Sequence, residues 1–180
     1  MRNVIFLDID GVLNGYGTVH KIGQIAGVDY EKIAKLRKIV RYIGGAELVL
    51  TSSWKEYWTP ELKHDGVRTW KGSSNKRYGR YLNLTLEKFG LEISDKTDEE
   101  HWTLRALGIL EWLDKNPDVD NYIILDDEDF HWSDYQMENH WIDTDDPVRY
   151  RPCGEGLKDK HIEEVKRRFD EGKFRNERKH

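Results

Sequence analysis

Val4–Asn14 reads VIFLDIDGVLN, and no other stretch limits so sharply what the chain can fold into. Val4, Ile5, Phe6 and Leu7 form a short uninterrupted apolar run, the pattern of a strand buried on both faces; such strands sit in parallel sheets covered on each side by helices. The run stops at Asp8-Ile9-Asp10-Gly11. Two carboxylates therefore fall at the strand's carboxyl end, the edge at which open α/β sheets bind ligands. Acids this close repel each other unless a cation or a shared proton compensates them. Gly11 follows as the residue able to turn the chain sharply. A bare Asp-x-Asp is also what a solvated acidic turn looks like, so the rest of the chain decides the matter.

Two further apolar runs repeat the pattern. Ala46–Leu50 ends in Thr51-Ser52-Ser53-Trp54, and Asn121–Leu125 ends in Asp126-Asp127-Glu128-Asp129. Between the first two runs lie a glycine-rich loop, Asn14–Gly27, and a helix predicted over Tyr30–Ile43 from Ile33, Leu36, Ile39, Val40 and Ile43, with Asp29 as its cap and Gly44-Gly45 as its stop. This is a β-α-β unit with a right-handed crossover. Lys55–Ser74 has no clear period and reads as a short helix plus loop. Arg77–Phe89 and His101–Leu113 read as helices, Leu91–Ile93 as a short strand, and His140–Thr144 as a last strand. Lys158–Phe169 reads as a C-terminal helix with a frayed remainder.

If the three runs are parallel neighbours, Asp8, Asp10, Thr51, Ser52, Asp126 and Asp127 meet at one edge of the sheet. An oxygen-only donor set with several carboxylates calls for a hard dication and selects Mg²⁺ over zinc or copper. Mg²⁺ with open water positions is the usual companion of phosphate groups. A phosphoryl group also needs a fixed cation and neutral donors. Arg105, in the helix leading to the third strand, is the best-placed cation, and Thr51 supplies a hydroxyl.

Composition narrows the class further. At 180 residues, 37% apolar and 35% charged, the chain is long enough for a real core and reads as one domain, residues 1–172, with a basic tail over 173–180. No run approaches a membrane span, no signal-peptide block is seen, and a single cysteine, Cys153, suits a reducing cytoplasm. Cys153 has no histidine partner that would make it a nucleophile, and the spacing of His131 and His140 matches no metal motif. The net charge of −5 gives no global attraction for nucleic acid, but Arg68, Lys71, Lys76, Arg77 and Arg80 cluster beside Trp70, Tyr78 and Tyr81. That cluster reads either as a surface for a phosphate backbone or as a solvated helix face.

DIDGVLN, LVLTSSW, an Arg-bearing helix and ILDDED, in this order, resemble the four motifs of the haloacid dehalogenase (HAD) superfamily of phosphohydrolases. The SSW segment and the late Gly156-Leu157 resemble the branch found in RNA-repair proteins and in small phage and bacterial proteins. The resemblance covers roughly residues 4–157 and implies a Rossmann-like α/β fold, a mostly parallel sheet flanked by helices, with a minimal cap. It implies Asp8 as nucleophile and Asp10 as general acid, then base, with the Asp10 main-chain carbonyl on the metal. Thr51 would bond a phosphoryl oxygen, with Ser52 as a substitute if the strand ends one residue later. Arg105 would neutralise the phosphoryl charge, and Asp8, Asp10, Asp126 and Asp127 would hold Mg²⁺. Gly11, Ser52, Ser53 and Arg77 are assigned to substrate binding. Most members carry lysine where Arg105 is placed, so Lys96 and Lys115 compete with it.

Neither interval between motifs has room for a large cap, so an open site is expected. It would suit a phosphorylated nucleic-acid end, such as a 3′-phosphate, or a nucleotide. Small-metabolite phosphatase and non-catalytic binding module are the alternatives. A metal-dependent nucleotide-sugar transferase fits less well, because it would not need the second acidic pair. No membrane partner is expected, and the oligomeric state is left open.

Overall fold

All five residues of the strand Asn3–Leu7 (β1) are buried, which requires that both faces of the sheet be covered. The computed structural model describes residues 1–63, 76–98, 104–145 and 154–178. After β1 come a hairpin of β2 (Lys21–Ile22) and β3 (Ile25–Ala26), α1 (Tyr30–Tyr42) and β4 (Glu47–Leu50). Then follow α2 (Lys76–Glu87), β5 (Ile93–Lys96), α3 (Arg105–Lys115), β6 (Asn121–Asp126), β7 (Trp141–Asp143) and α4 (Asp159–Asp170). Single 3₁₀ turns occupy Ser53–Glu56, Pro60–Lys63 and Trp132–Tyr135.

The central sheet has the order β5-β4-β1-β6-β7, every pair parallel. Side chains alternate across it as the two-residue period requires. Ile5, Leu7, Leu48, Leu50, Ile123 and Leu125 pack with residues of α1, α2 and α4. Val4, Phe6, Val49, Tyr122 and Ile124 face α3 and the Trp132 turn. Helices lie on opposite faces because the chain moves outward from β1 through β4 to β5, then crosses back to β6 on the other side, and right-handed crossovers put the two directions on opposite faces. The order therefore reverses between β1 and β6, at the crevice where such sheets bind ligands. This is the Rossmann-like α/β fold expected from the sequence.

Register brings the polar residues into line. Leu7 pairs with both Leu50 and Leu125, and the ladder runs one step further: Asp8 N–H donates to the Leu125 carbonyl (3.0 Å) and Thr51 N–H to the Leu7 carbonyl (3.0 Å). Asp8, Thr51 and Asp126 thus stand side by side at one edge.

Several local expectations need correction. Asp29 precedes α1 but makes no side-chain cap; its carboxylate instead accepts the Thr18 hydroxyl (2.8 Å). The glycine-rich loop contains the β2–β3 hairpin, because Lys21–Ile22 and Ile25–Ala26 flank a tight turn. The tail is not frayed through residue 178. Phe174 is fully buried, Arg175 bridges to Asn121, and Asn176 N–H reaches the Asp120 carbonyl at 2.9 Å. One buried phenyl ring, contributing about 2–3 kcal/mol, outweighs the entropy that basic composition alone suggests. Cys153, residues 64–75 of the basic stretch, and the start of the helix expected from His101 lie outside the described residues.

Candidate active site

The turn after β1 is built by its own side chains. Val12, Leu13 and Asn14 all direct their N–H groups at the Ile9 carbonyl, forming a single tight coil. Asn14 closes it: its Oδ1 accepts Gly11 N–H (3.0 Å) and its Nδ2 donates to Asp10 Oδ1 (2.7 Å). Trp54, just beyond β4, donates its indole N–H to Asp10 Oδ2 at 3.0 Å. The Asp10 carboxylate is therefore fixed from two sides.

Asp8, Asp126 and Asp127 form a separate group, with one carboxylate oxygen from each lying within 4.8 Å of the others. The Asp10 carboxylate does not belong to it, held as it is by the Asn14 and Trp54 bonds; the metal role that the resemblance implies for Asp10 falls on its main-chain carbonyl. Asp8 is 3% exposed and Asp126 is fully buried. Asp126 Oδ1 accepts Glu128 N–H (3.1 Å). Asp127 Oδ2 accepts Gly154 N–H (2.9 Å), which ties the loop after β7 to the acidic pair.

Gly11 is what lets Asp127 approach. Its φ is +75°, and an added Cβ would lie 1.9 Å from Asp127 Oδ2. Its carbonyl accepts the Thr144 hydroxyl at 2.8 Å, a further tie to the sheet's last strand. Gly11→Ala must displace the Asp127 carboxylate and accept a left-handed backbone, costing about 1–3 kcal/mol. The expected result is a lowered Tm and at least tenfold weaker Mg²⁺ binding by calorimetry; an unchanged affinity would show that Asp127 takes no part in the cation site.

Among the described residues, Arg105 is the cation that reaches this group. Its Nη1 lies 2.5 Å from Asp126 Oδ2 and 3.3 Å from Asp8 Oδ2, and its guanidinium stacks 4.3 Å from the centre of the Phe130 ring. Arg105 opens α3, where a positive side chain opposes the helix dipole, so helix stability does not explain it. Lys96 instead donates to the Lys55 carbonyl (3.0 Å). Lys115 is exposed at the far end of α3, a helix length of about 15 Å away. Of the three competing residues, Arg105 is the one whose side chain contacts these carboxylates.

Electrostatics follow from burial. Burial raises the Asp8 carboxyl, with Arg105 and the Ser52 hydroxyl pulling the other way. Burial, then repulsion from Asp8, pushes Asp126 well above the usual carboxylate range. Asp127 is pushed up to about 6, chiefly by burial and against the Gly154 N–H. Burial by itself would lower Arg105, but Asp8 and Asp126 more than offset it and keep it charged.

A carboxylate raised in the native state is a cost at neutral pH that disappears on acidification. The folded protein takes up the Asp127 proton near pH 6 and the unfolded chain near pH 4, so stability rises as pH falls through that window. In EDTA at pH 7.5, Asp127→Asn is expected to stabilise the protein by about 1–3 kcal/mol, and to flatten the gain that wild type shows on moving to pH 5. Thermal unfolding at the two pH values checks both; a lowered Tm at pH 7.5 contradicts the assignment.

The remaining residues divide clearly. Thr51 is buried and its Oγ1 has no hydrogen-bond partner among the described residues. Ser52, fully buried beside it, caps the 3₁₀ turn by accepting Trp54 N–H (3.3 Å) and also faces Asp8. Ser53 is exposed on that turn and does not join the group. Arg77 is exposed on α2, over the Tyr78 ring and against Gly23 of the hairpin, away from the carboxylates' own contacts. Asn14, Trp54, Phe130 and Thr144 hold the site together and were not singled out as site residues by sequence reasoning. The only signal for Asn14 is its place four residues after Asp10 in a tight turn. His140 stacks on Tyr122 at 3.7 Å with Nδ1 against the Tyr122 carbonyl, a packing role.

The family described as the HAD domain in Swiss Army Knife RNA repair proteins matches residues 4–148. No curated protein and no solved structure matches the chain. The matched span contains Asp8, Thr51, Arg105, Asp126 and Asp127 and covers most of the chain, so the protein belongs to the HAD domains of Swiss Army Knife RNA repair proteins.

Proposed function

We propose that the protein is a Mg²⁺-dependent phosphatase that acts through a phosphorylated Asp8. The observation that carries this reading is a set of buried atoms, Asp8 Oδ1, Thr51 Oγ1 and Arg105 Nε, that have no hydrogen-bond partner among the described residues. Buried polar groups are normally satisfied, and leaving one unsatisfied costs about 1–3 kcal/mol. A nucleophile, a neutral donor and a cationic donor, each unsatisfied and two of them on adjacent strand ends, suit a phosphoryl group as the missing partner.

The donor set also fits the cation. Asp8, Asp126 and Asp127 offer only carboxylate oxygens, the chemistry of a hard dication, and they would hold it. When bound, Mg²⁺ supplies charge that offsets both the three carboxylates and the phosphoryl oxygens.

In the first step Asp8 attacks phosphorus in line and the bond to the leaving oxygen breaks, while Asp10 gives that oxygen a proton. Both Asp10 oxygens accept an N–H in the structure, yet each keeps a second lone pair for that proton. In the second step Asp10 takes a proton from water, the water oxygen attacks phosphorus, and inorganic phosphate leaves with Asp8 restored. Thr51 and Arg105 hold the phosphoryl oxygens throughout. Arginine does this with a fork, so one residue can keep Asp126 and grip the substrate together.

We read residues 1–172 as one catalytic domain working in the cytoplasm, with residues 173–178 packed onto it through Phe174, and a phosphorylated nucleic-acid end, a 3′-phosphate first, as the substrate. Membership in a family named for RNA repair supports this, as does the modest β2–β3 hairpin between β1 and α1 where a larger cap would close the site. No described helix is long and apolar enough to cross a membrane. The test is phosphate release, with Mg²⁺ or EDTA, from an aryl phosphate, nucleoside 3′- and 5′-monophosphates, and 3′- and 5′-phosphorylated oligonucleotides. Mg²⁺-dependent release, greatest from 3′-phosphorylated ends, is expected; no release from any of them by folded, metal-loaded protein overturns the proposal.

A further inference from the structure

We infer that the exposed start of α2, together with Tyr57 and Tyr78, is the subsite for the leaving-group side of the substrate, and that it takes an internal phosphate of a single-stranded polynucleotide. The inference rests on Asp10 as the acid that protonates the leaving oxygen.

Asp10 fixes the direction in which the rest of the substrate must lie, because the leaving group departs from the side of the acid. Trp54 is the ring next to that acid, its indole N–H bonded to Asp10 Oδ2 at 3.0 Å. From it a row of rings leads outward: Trp54 to Tyr57 at 6.4 Å between centres, Tyr57 to Tyr78 at 5.1 Å, and the Arg77 guanidinium 5.1 Å over Tyr78. Arg77 also lies against Gly23, whose Cβ would meet its Nη2 at 2.4 Å, so the β2–β3 hairpin and α2 form a single wall beside the row. Tyr57 and Tyr78 are only partly buried.

The charge at its outer end is unfavourable to the helix dipole. α2 begins with Lys76 and Arg77, followed one turn on by Arg80, and has no acid in its first turn. Cations there oppose the macrodipole, where helices ordinarily carry Asp or Glu. The exposed Lys76 and Arg77 side chains instead give this end of the row a positive charge that attracts an anion. A small phosphate ester held by Asp8, Thr51 and Arg105 would not extend along the ring row to reach Arg77. A strand of a few nucleotides would, with sugars and bases along the tyrosines and a backbone phosphate on the guanidinium.

The test uses binding first. A fluorescent tetranucleotide with a 3′-phosphate is titrated by anisotropy against Asp8→Asn protein, alone and with Arg77→Ala, Arg77→Lys or Arg77→Glu added. Loss of one charge-assisted phosphate contact should weaken binding about tenfold in Arg77→Ala and more in Arg77→Glu, while Arg77→Lys keeps part of it. The slope of affinity against salt should also become shallower by about one phosphate contact. In the catalytic arm, Arg77→Ala should lower the ratio of kcat/KM for the tetranucleotide over that for a nucleoside 3′-monophosphate by about tenfold, through KM. Unchanged binding in Arg77→Ala and Arg77→Glu overturns the subsite, whatever turnover shows. Wild-type protein that releases phosphate from neither substrate overturns the phosphatase reading instead, and the binding arm still decides the subsite.

Discussion

Asp8→Asn is expected to abolish phosphate release, by roughly 10⁴-fold or more, the scale on which removing a nucleophile acts. Asparagine keeps the shape of the side chain and its place at the end of β1, but loses the anionic oxygen that would attack phosphorus. The fold should survive, and the reason is electrostatic. Asp8 is buried beside Asp126 and Asp127, its carboxyl is raised by burial, and Arg105 is closer to Asp126 (2.5 Å) than to Asp8 (3.3 Å). Removing one of three crowded charges relieves repulsion while the shorter ion pair stays. A Tm in EDTA equal to or above that of wild type, with no turnover, is the expected pair of results. Retained turnover would remove Asp8 from the mechanism. A collapsed fold would mean that the Arg105–Asp8 contact matters more to stability than the repulsion does.

The second large effect belongs to Arg105→Met. This change leaves Asp8 and Asp126 buried without their cation, and breaking a buried pair from one side costs about 3–5 kcal/mol. Methionine fills the stem and can still lie on Phe130, so the loss reports charge more than packing. Denaturant unfolding at pH 7.5 in EDTA should show that loss. The deficit should shrink on acidification: both carboxyls are already raised in the folded protein and rise further without Arg105, so the native state gains protons before the unfolded chain does. Mg²⁺ should restore stability in part, by replacing the missing charge. Activity should still fall about 10²–10³-fold, since a donor to the phosphoryl oxygens is gone. A deficit that is the same at pH 5 and pH 7.5 would show that Arg105 acts through packing alone.

The three inner strands, β1, β4 and β6, were legible because they are covered on both faces and so appear as largely apolar runs, each leading into a polar residue at the same edge; the outer strands β5 and β7 are short and partly polar and carry a weaker signal. Asp8, Thr51 and Asp126 follow from strand ends alone once the strands are parallel. Arg105 was harder to place. Nothing local separates it from Lys96 or Lys115, and only the geometry of α3, whose first residue faces the carboxylates, decides among them. The supports were illegible for the same reason. Trp54 reaches Asp10 across 44 positions, Thr144 reaches Gly11 across 133, and Phe130 meets Arg105 through the loop after β6. These are contacts between different strand ends, and no periodicity announces them. The tail misled in the opposite direction: five of its eight residues are Lys, Arg or His, yet Phe174 anchors it to the core.

The most direct measurement is to trap phosphorus on Asp8. In Asp10→Asn the base for the second step is missing, while an aryl phosphate, whose leaving group needs little protonation, still permits the first. Acid quench of that variant with 4-nitrophenyl phosphate and Mg²⁺, followed by hydroxylamine treatment and peptide mass spectrometry, should yield a hydroxamate at Asp8 and at no other carboxylate. Phosphate release by wild type with no modification at Asp8 in the variant, or with modification at Asp126 or Asp127 instead, would contradict the account.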